Sequence, residues 1–284
     1  MRITRILMIM FTFLALGSLI LALLIMRSDG IIAREQSRRY ISYRLADELR
    51  QTSDDLTRMT RAYAATSDIR FSEYAKQIRD IRSGAHPRPE DYHTIYWDYY
   101  VAAKEPPRPS GDPIALRKMM QEEGFTNEEF GLMQNSETNA VDLQKTIERE
   151  AIEAVGGRFK DETGQYTVEG EPDMEAARRL LYSDEYHDRK ADVMRPIEKF
   201  LVAVDKRTAA SVAAQERIRG MLELPLILAI AASVLLGIVS IVRMGRFIVL
   251  LERKEKEEEE RLQREQRIAE RRAEREKEES RPSE

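Results

Sequence analysis

The chain has 284 residues, 34% of them charged, a formal net charge of −4 and a mean hydropathy of −0.51, figures that taken as averages describe a soluble polar protein. The absence of cysteine excludes a disulfide framework, a thiolate metal site and a cysteine nucleophile. The slightly acidic balance excludes the basic footprint of a nucleic-acid-binding protein.

The average hides two runs without any charge, residues 6–26 and 224–242. Each is close to the roughly 20 residues that a helix needs to cross a bilayer. They divide the chain into a short N-terminus (1–5), a first transmembrane helix (6–26), a 27–223 domain, a second transmembrane helix (224–242) and a 243–284 tail. The three polar segments carry charges of +2, −6 and 0. Arg2 and Arg5 would also suit the basic start of a signal peptide. The length of the apolar run and its end, Leu23-Leu24-Ile25-Met26-Arg27, which lacks a small-x-small cleavage site, predict a retained anchor instead. Arg2 and Arg5 before the first run, and Arg243, Arg246, Arg253, Lys254 and Lys256 after the second, place both termini in the cytoplasm by the positive-inside rule. The 27–223 domain then lies outside the membrane.

That domain reads as long helices. Leu45, Leu49, Thr52, Leu56, Met59 and Tyr63 recur in steps of four and three, a heptad-like stripe interrupted by Thr52, and the helix is expected to end near Thr66-Ser67-Asp68. A second helix over about 71–82 stops at Gly84. Prolines 87, 89, 106, 107, 109 and 113 exclude regular helix around them, leaving room for a short helix within 90–102. Thr126 followed by Glu129 is a capping-box pattern that opens a third long helix, carrying Met133, Ser136, Ala140, Leu143, Ile147 and Ala154 on one face and ending at Gly156-Gly157. Residues 158–170, with Thr163-Gly164 at the centre, suit a small hairpin. Asp173 and Ser183 are candidate caps for the last helices. The final helix, with Ile197, Leu201, Val204, Thr208, Ser211, Gln215, Ile218 and Leu222 in four-three steps, runs into the second apolar run, and Pro196 is expected to kink or restart it. Thr52 on the first helix, and Thr208, Ser211 and Gln215 on the last, read either as a register-setting polar layer or as a seam between two packings. The fold class is therefore all-α: a long-helix, four-helix-type bundle between two transmembrane helices, followed by a charged cytoplasmic helix.

Leu45 to Met59 (LADELRQTSDDLTRM), Tyr63, Thr66, Ile78-Arg79-Asp80-Ile81-Arg82-Ser83-Gly84, Pro87-Arg88-Pro89 and Ile95-Tyr96-Trp97-Asp98 resemble the extracytoplasmic helical-bundle sensor regions of bacterial transmembrane receptors. Further similar pieces are Asn135-Ser136-Glu137-Thr138-Asn139 with Glu148, Phe159 to Thr167, Gly170-Glu171-Pro172-Asp173 and Leu180 to His187, so that most of 40–210 is covered. Such regions precede histidine kinases, cyclases, phosphatases and chemotaxis-type transducers. The 42-residue tail is too short for an output domain of that kind. The resemblance implies a receptor in the bacterial inner membrane with a periplasmic domain, a homodimer, and a separate cytoplasmic signalling partner.

Candidate ligand residues come from spacing. Asp54 and Arg58, like Asn135 and Asn139, are four apart, and Arg58 and Arg61 three apart, so each set shares a helix face. Arg58 and Arg61 read either as a fork for a carboxylate or as a surface pair with Asp54. Tyr96 and Trp97, within Tyr96-Trp97-Asp98-Tyr99-Tyr100, read either as a pocket wall or as an aromatic plug at a bundle end. His86, His93 and His187 lack metal-ligand spacing, and no catalytic motif, cofactor or metal is expected. The tail pairs Glu252, Glu257 and Glu260 with Lys256, Arg261 and Arg264 at i,i+4, as a solvated helix would. Its apolar positions Leu262, Ile268, Ala269 and Ala273 are too sparse for a strong coiled coil of its own. The predicted function is a two-span membrane sensor, not an enzyme, that binds a small molecule or a periplasmic protein and transmits a helix shift inward; the alternative is a non-signalling membrane scaffold or assembly protein.

Overall fold

Helix α1 (Arg2–Thr66) contains the first apolar run and continues into the polar domain, where its four-three stripe turns inward: Leu45, Leu49, Thr52 and Met59 are all buried. The computed structural model describes the backbone of residues 2–279 and the side chains of 6–267. Met1, residues 280–284 and the side chains of Arg2, Arg5, Ile268, Ala269 and Ala273 lie outside the described residues. Among the described residues the fold is all-helical apart from one two-stranded hairpin, and the chain divides into two units, residues 31–215 and residues 1–30 with 216–284.

In the 31–215 unit, α1 ends at Thr66. Ser67 takes a left-handed φ of 55°, and the Asp68 carboxylate accepts a hydrogen bond from the Arg70 amide (3.0 Å) to cap α2 (Ile69–Ser83). Gly84 stops α2 at a φ of 80°, where a Cβ would lie 2.6 Å from the Ala115 nitrogen, so that glycine permits both the turn and the close approach of the next segment. Through the proline-rich stretch only α3 (Trp97–Ala103) forms, starting later than the sequence predicts because turns occupy residues 90–95. Helix α4 (Leu116–Glu122) follows. The capping box is complete: the Glu129 amide donates to Thr126 Oγ1 (3.2 Å), the Thr126 amide donates to Glu129 Oε2 (2.7 Å), and α5 (Asn127–Leu143) begins there. A π turn (Gln144–Glu148) joins α5 to α6 (Arg149–Val155). The predicted hairpin pairs β1 (Arg158–Phe159) with β2 (Val168–Glu169) in antiparallel register. Asp161 ties its loop, accepting from the Thr163 and Gln165 amides (2.8 and 3.0 Å) and from the Thr163 and Thr167 hydroxyls, and these bonds hold its carboxyl far below the usual carboxylate range. Asp173 caps α7 (Met174–Leu181), and Ser183 Oγ accepts from the Tyr186 amide at the start of α8 (Asp184–Glu279).

Two cores hold this unit together. The larger joins Leu45 and Leu49 of α1 to Met133 and Leu143 of α5, Leu181 of α7 and Val193, Ile197, Phe200 and Val204 of α8. The smaller packs Ile78 and Ile81 of α2 with Tyr74, Tyr92, Tyr96 and Trp97. Each of these fully buried large side chains contributes about 1.5–3 kcal/mol of transfer free energy. Of the polar interruptions of the stripes, Thr52 and Thr208 are satisfied within their own helices, the Thr52 hydroxyl donating to the Leu49 carbonyl (3.1 Å) and that of Thr208 to the Val204 carbonyl (2.8 Å), whereas the Ser211 hydroxyl of α8 donates to Glu35 Oε2 of α1 (2.6 Å).

Helix α8 continues through Pro196 rather than restarting there. Proline has no N–H, so the Asp192 carbonyl four residues earlier loses its helical donor. Asn139 Nδ2 takes that role from α5 at 2.8 Å, and Ser136 Oγ donates to the adjacent Val193 carbonyl at 2.9 Å. The break is filled from outside the helix.

In the other unit, α1 and α8 each contain a stretch long and apolar enough to cross a membrane, with none of either buried in the protein. Leucines, isoleucines and phenylalanines such as Phe13, Leu16, Leu228 and Ile241 are exposed there. The Ser18 and Ser233 hydroxyls return to carbonyls of their own helices (2.8 and 2.7 Å), which suits an apolar surround. Gly237 faces the Phe11 ring, and Arg219 pairs with Asp29 at 2.7 Å. Residues 243–267 of the charged tail are exposed helix, with Glu260 and Arg264 paired at 3.8 Å.

Candidate functional site

Burial of Ile78 and Ile81, both 0% exposed, fixes the rotation of α2. The residue after each of them then lies about 100° round the helix, and this brings Arg79 and Arg82 to one flank. Across from it, α5 buries Met133 and Ser136 and presents Glu137. The π turn widens the next helical turn and carries Gln144 and Glu148 to the same space; such bulges recur at functional sites. Ser53 and Leu56 of α1 and Lys190 and Val193 of α8 complete a cavity of about 420 Å³. That volume falls within the roughly 300–1,000 Å³ usual for small-molecule sites.

The charges lining the cavity are unequally served. Lys190 Nζ donates to the Ser53 carbonyl (2.9 Å) and Ser53 Oγ (2.8 Å) and lies 3.5 Å from Asp54. Burial lowers its pKa, and Asp54 opposes the fall. Glu148 Oε1 accepts from the Tyr186 hydroxyl at 3.0 Å; burial nonetheless holds its pKa above the ordinary value, outweighing this bond and the nearby Arg79. Arg79 and Arg82 have neither a hydrogen bond nor an ion pair within 4.0 Å among the described residues, although Glu148 and Glu137 are the carboxylates they chiefly sense. Withdrawal from water lowers the pKa of both guanidinium groups without discharging them, and Arg79 also repels Arg82. Two half-buried cations side by side, with no counterion within 4.0 Å among the described residues, give up part of their hydration and repel each other at a cost. An oxyanion placed between them removes that cost and meets the planar fork of each guanidinium.

The residues singled out by spacing fall in three other places. Asp54, Arg58 and Arg61 do come together, along an open groove of about 610 Å³ that also includes Tyr182 and His187. Their charges are already engaged. Arg58 pairs with Asp55 (2.8 Å) and Asp98, Asp54 with Arg50 (3.2 Å), and Arg61 donates to the Leu181 carbonyl from Nε and Nη2 (3.2 and 2.9 Å) while lying 4.3 Å from the Tyr182 ring centre. Asn135 is exposed, and Asn139 serves the Asp192 carbonyl. Tyr96 and Trp97 are each 2% exposed in the aromatic core, where the Trp97 indole donates to the Tyr92 hydroxyl (2.9 Å) and burial lifts the Tyr96 hydroxyl pKa to about 12.

Arg79, Arg82 and Glu148 were not among the residues that spacing selected. The available signal was the position of each arginine directly after an isoleucine of the α2 core stripe, which sets it at the edge of the buried face. No sequence feature announces the π turn. Among the described residues no group of three or more His, Asp or Glu side chains is gathered as a metal site. Comparison with protein-family models, curated proteins and solved structures finds no match to this chain.

Proposed function

We propose that the chain is a receptor-like protein of the bacterial inner membrane. In this reading both termini are cytoplasmic, the 31–215 unit is a periplasmic helical bundle, and a small molecule binds in the Arg79–Arg82 cleft through an anionic group. The observation that carries the proposal is the pair of half-buried arginines that line the cavity with no hydrogen bond or ion pair among the described residues. Two of the cavity's walls belong to α1 and α8, the helices that also contain the apolar stretches and, in α8, the charged tail. A ligand that prefers one packing of these helices over another would shift their equilibrium by its difference in affinity, and α8 would pass the shift to a cytoplasmic partner. The resemblance to sensor regions supports the same role.

The test is calorimetric titration of the full chain in lipid nanodiscs with a panel of small organic acids, amino acids and inorganic anions. At least one is expected to bind, with affinity reduced at least tenfold by Arg79→Ala and by Arg82→Ala and unchanged by Arg58→Ala. Cysteine pairs introduced across the two apolar stretches should crosslink at a different rate when that ligand is present. Binding that ignores both arginines, or no binding from the whole panel, overturns the proposal.

A further inference from the structure

The cleft contains more than an anion site requires. With Lys190 committed to Ser53 and Asp54, the charges left facing the cavity are two arginines, Arg79 and Arg82, and two carboxylates, Glu137 and Glu148. The opposite charges stand on different elements, the arginines on α2 and the glutamates on α5 and the π turn, and no cation–carboxylate pair among these four closes within 4.0 Å. A simple anion would relieve the arginines but bring negative charge towards two glutamates. A simple cation would do the reverse. The arrangement is satisfied at both ends by one molecule with a carboxylate and an ammonium group joined by a short frame.

Resting on the reading of this cleft as a ligand site, we infer that its occupant is a zwitterion of amino-acid size, with the carboxylate held by Arg79 and Arg82 and the ammonium by Glu148 and Glu137. Three features fit this. Glu148 uses Oε1 for Tyr186, while Oε2 has no partner among the described residues and so is left for a donor. The π turn is the feature that carries Glu148 to the cavity, opposite α2. Leu56 and Val193 add apolar wall, which suits a hydrocarbon side chain more than a second charged group. An ammonium beside Glu148 also favours its ionised form, so binding would release a proton wherever Glu148 is protonated in the free protein.

The test uses the full chain in nanodiscs and three sets of probes: the proteinogenic amino acids, their des-amino carboxylic acids and their decarboxylated amines. At least one amino acid with an uncharged side chain is expected to bind at least tenfold more tightly than either analogue. Glu148→Gln is expected to abolish that preference by weakening the amino acid while leaving or improving the carboxylic acid. Should Glu148→Gln fail to fold, Glu137→Gln reads the same split. If carboxylic acids bind in an Arg82-dependent way and match or exceed every amino acid, the zwitterion inference falls and the anion site stands. If no probe of any set binds, the zwitterion inference falls, and the anion site falls with it only when the inorganic anions and other organic acids of the first panel fail as well.

Discussion

The hydrogen bond from Asn139 to the Asp192 carbonyl should exist to repair Pro196, and a double-mutant cycle isolates that purpose. In Asn139→Ala the carbonyl loses its 2.8 Å donor and the proline offers no replacement. Leaving such a partly buried acceptor unpaired costs about 1–2 kcal/mol. Alanine regains about 0.5 kcal/mol of helix propensity in α5. The net destabilisation is about 1 kcal/mol, which lowers Tm by roughly 2–4 °C for a unit of this size. In a Pro196→Ala background the new backbone N–H serves Asp192, so the same Asn139→Ala change should be neutral or slightly stabilising. The propensity gain is common to both backgrounds and cancels, leaving a coupling of about 1–2 kcal/mol. Trp97, the only tryptophan and a member of the aromatic core, reports unfolding of this unit by its fluorescence in the detergent-solubilised full chain. An equal cost of Asn139→Ala with and without Pro196 would refute the reasoning.

Other perturbations have equally definite outcomes. Arg88→Ala should destabilise by about 3–5 kcal/mol in thermal unfolding, because it strands Glu48, 4% exposed and bonded to Arg88 at 2.5 and 2.7 Å, as an unpaired buried carboxylate. Glu148 has its folded pKa raised by burial, so its contribution to stability is fully present below the ordinary value of 4.5 and is lost as pH rises through the folded value. Glu148→Gln should therefore flatten the decline of stability above that pH, and an unchanged profile counts against a buried Glu148. Tryptophan 97 replaced by alanine (Trp97→Ala) should cost about 3–5 kcal/mol by circular dichroism, a large effect for a side chain 2% exposed and a negligible one for a solvent-facing pocket wall. In Gly157→Ala, at a φ of 67°, the new Cβ would lie 2.3 Å from the Gly170 carbonyl oxygen, so faster hydrogen exchange is expected across the hairpin. Gly164→Ala, at a φ of 80° with open space around it, should cost only the left-handed strain of about 1–2 kcal/mol.

Much of the fold was legible because its signals are local. Asp68, Gly84, the Thr126 and Glu129 pair, Asp173 and Ser183 act on backbone groups within a few residues, so their meaning does not depend on the rest of the chain. The four-three stripe of α1 needed only the helical period. Pro196 does not restart the helix, for the complementary reason. Its effect in isolation is to break a helix, and the donors that repair it, Asn139 and Ser136, are 53 and 57 residues from the carbonyls they serve.

The candidate site shows the division most clearly. Arg58 with Arg61 and Arg79 with Arg82 are the same pattern in sequence, two arginines three apart on a helix. By itself the sequence determined that each pair shares a face, since that follows from 3.6 residues per turn. Only the tertiary structure decided which pair is spent. Arg61 meets the Leu181 carbonyl from 120 residues away and Arg58 meets Asp98, while Arg79 and Arg82 meet a cavity. A charge is available to a ligand when no nearer partner takes it, and partners are brought by packing.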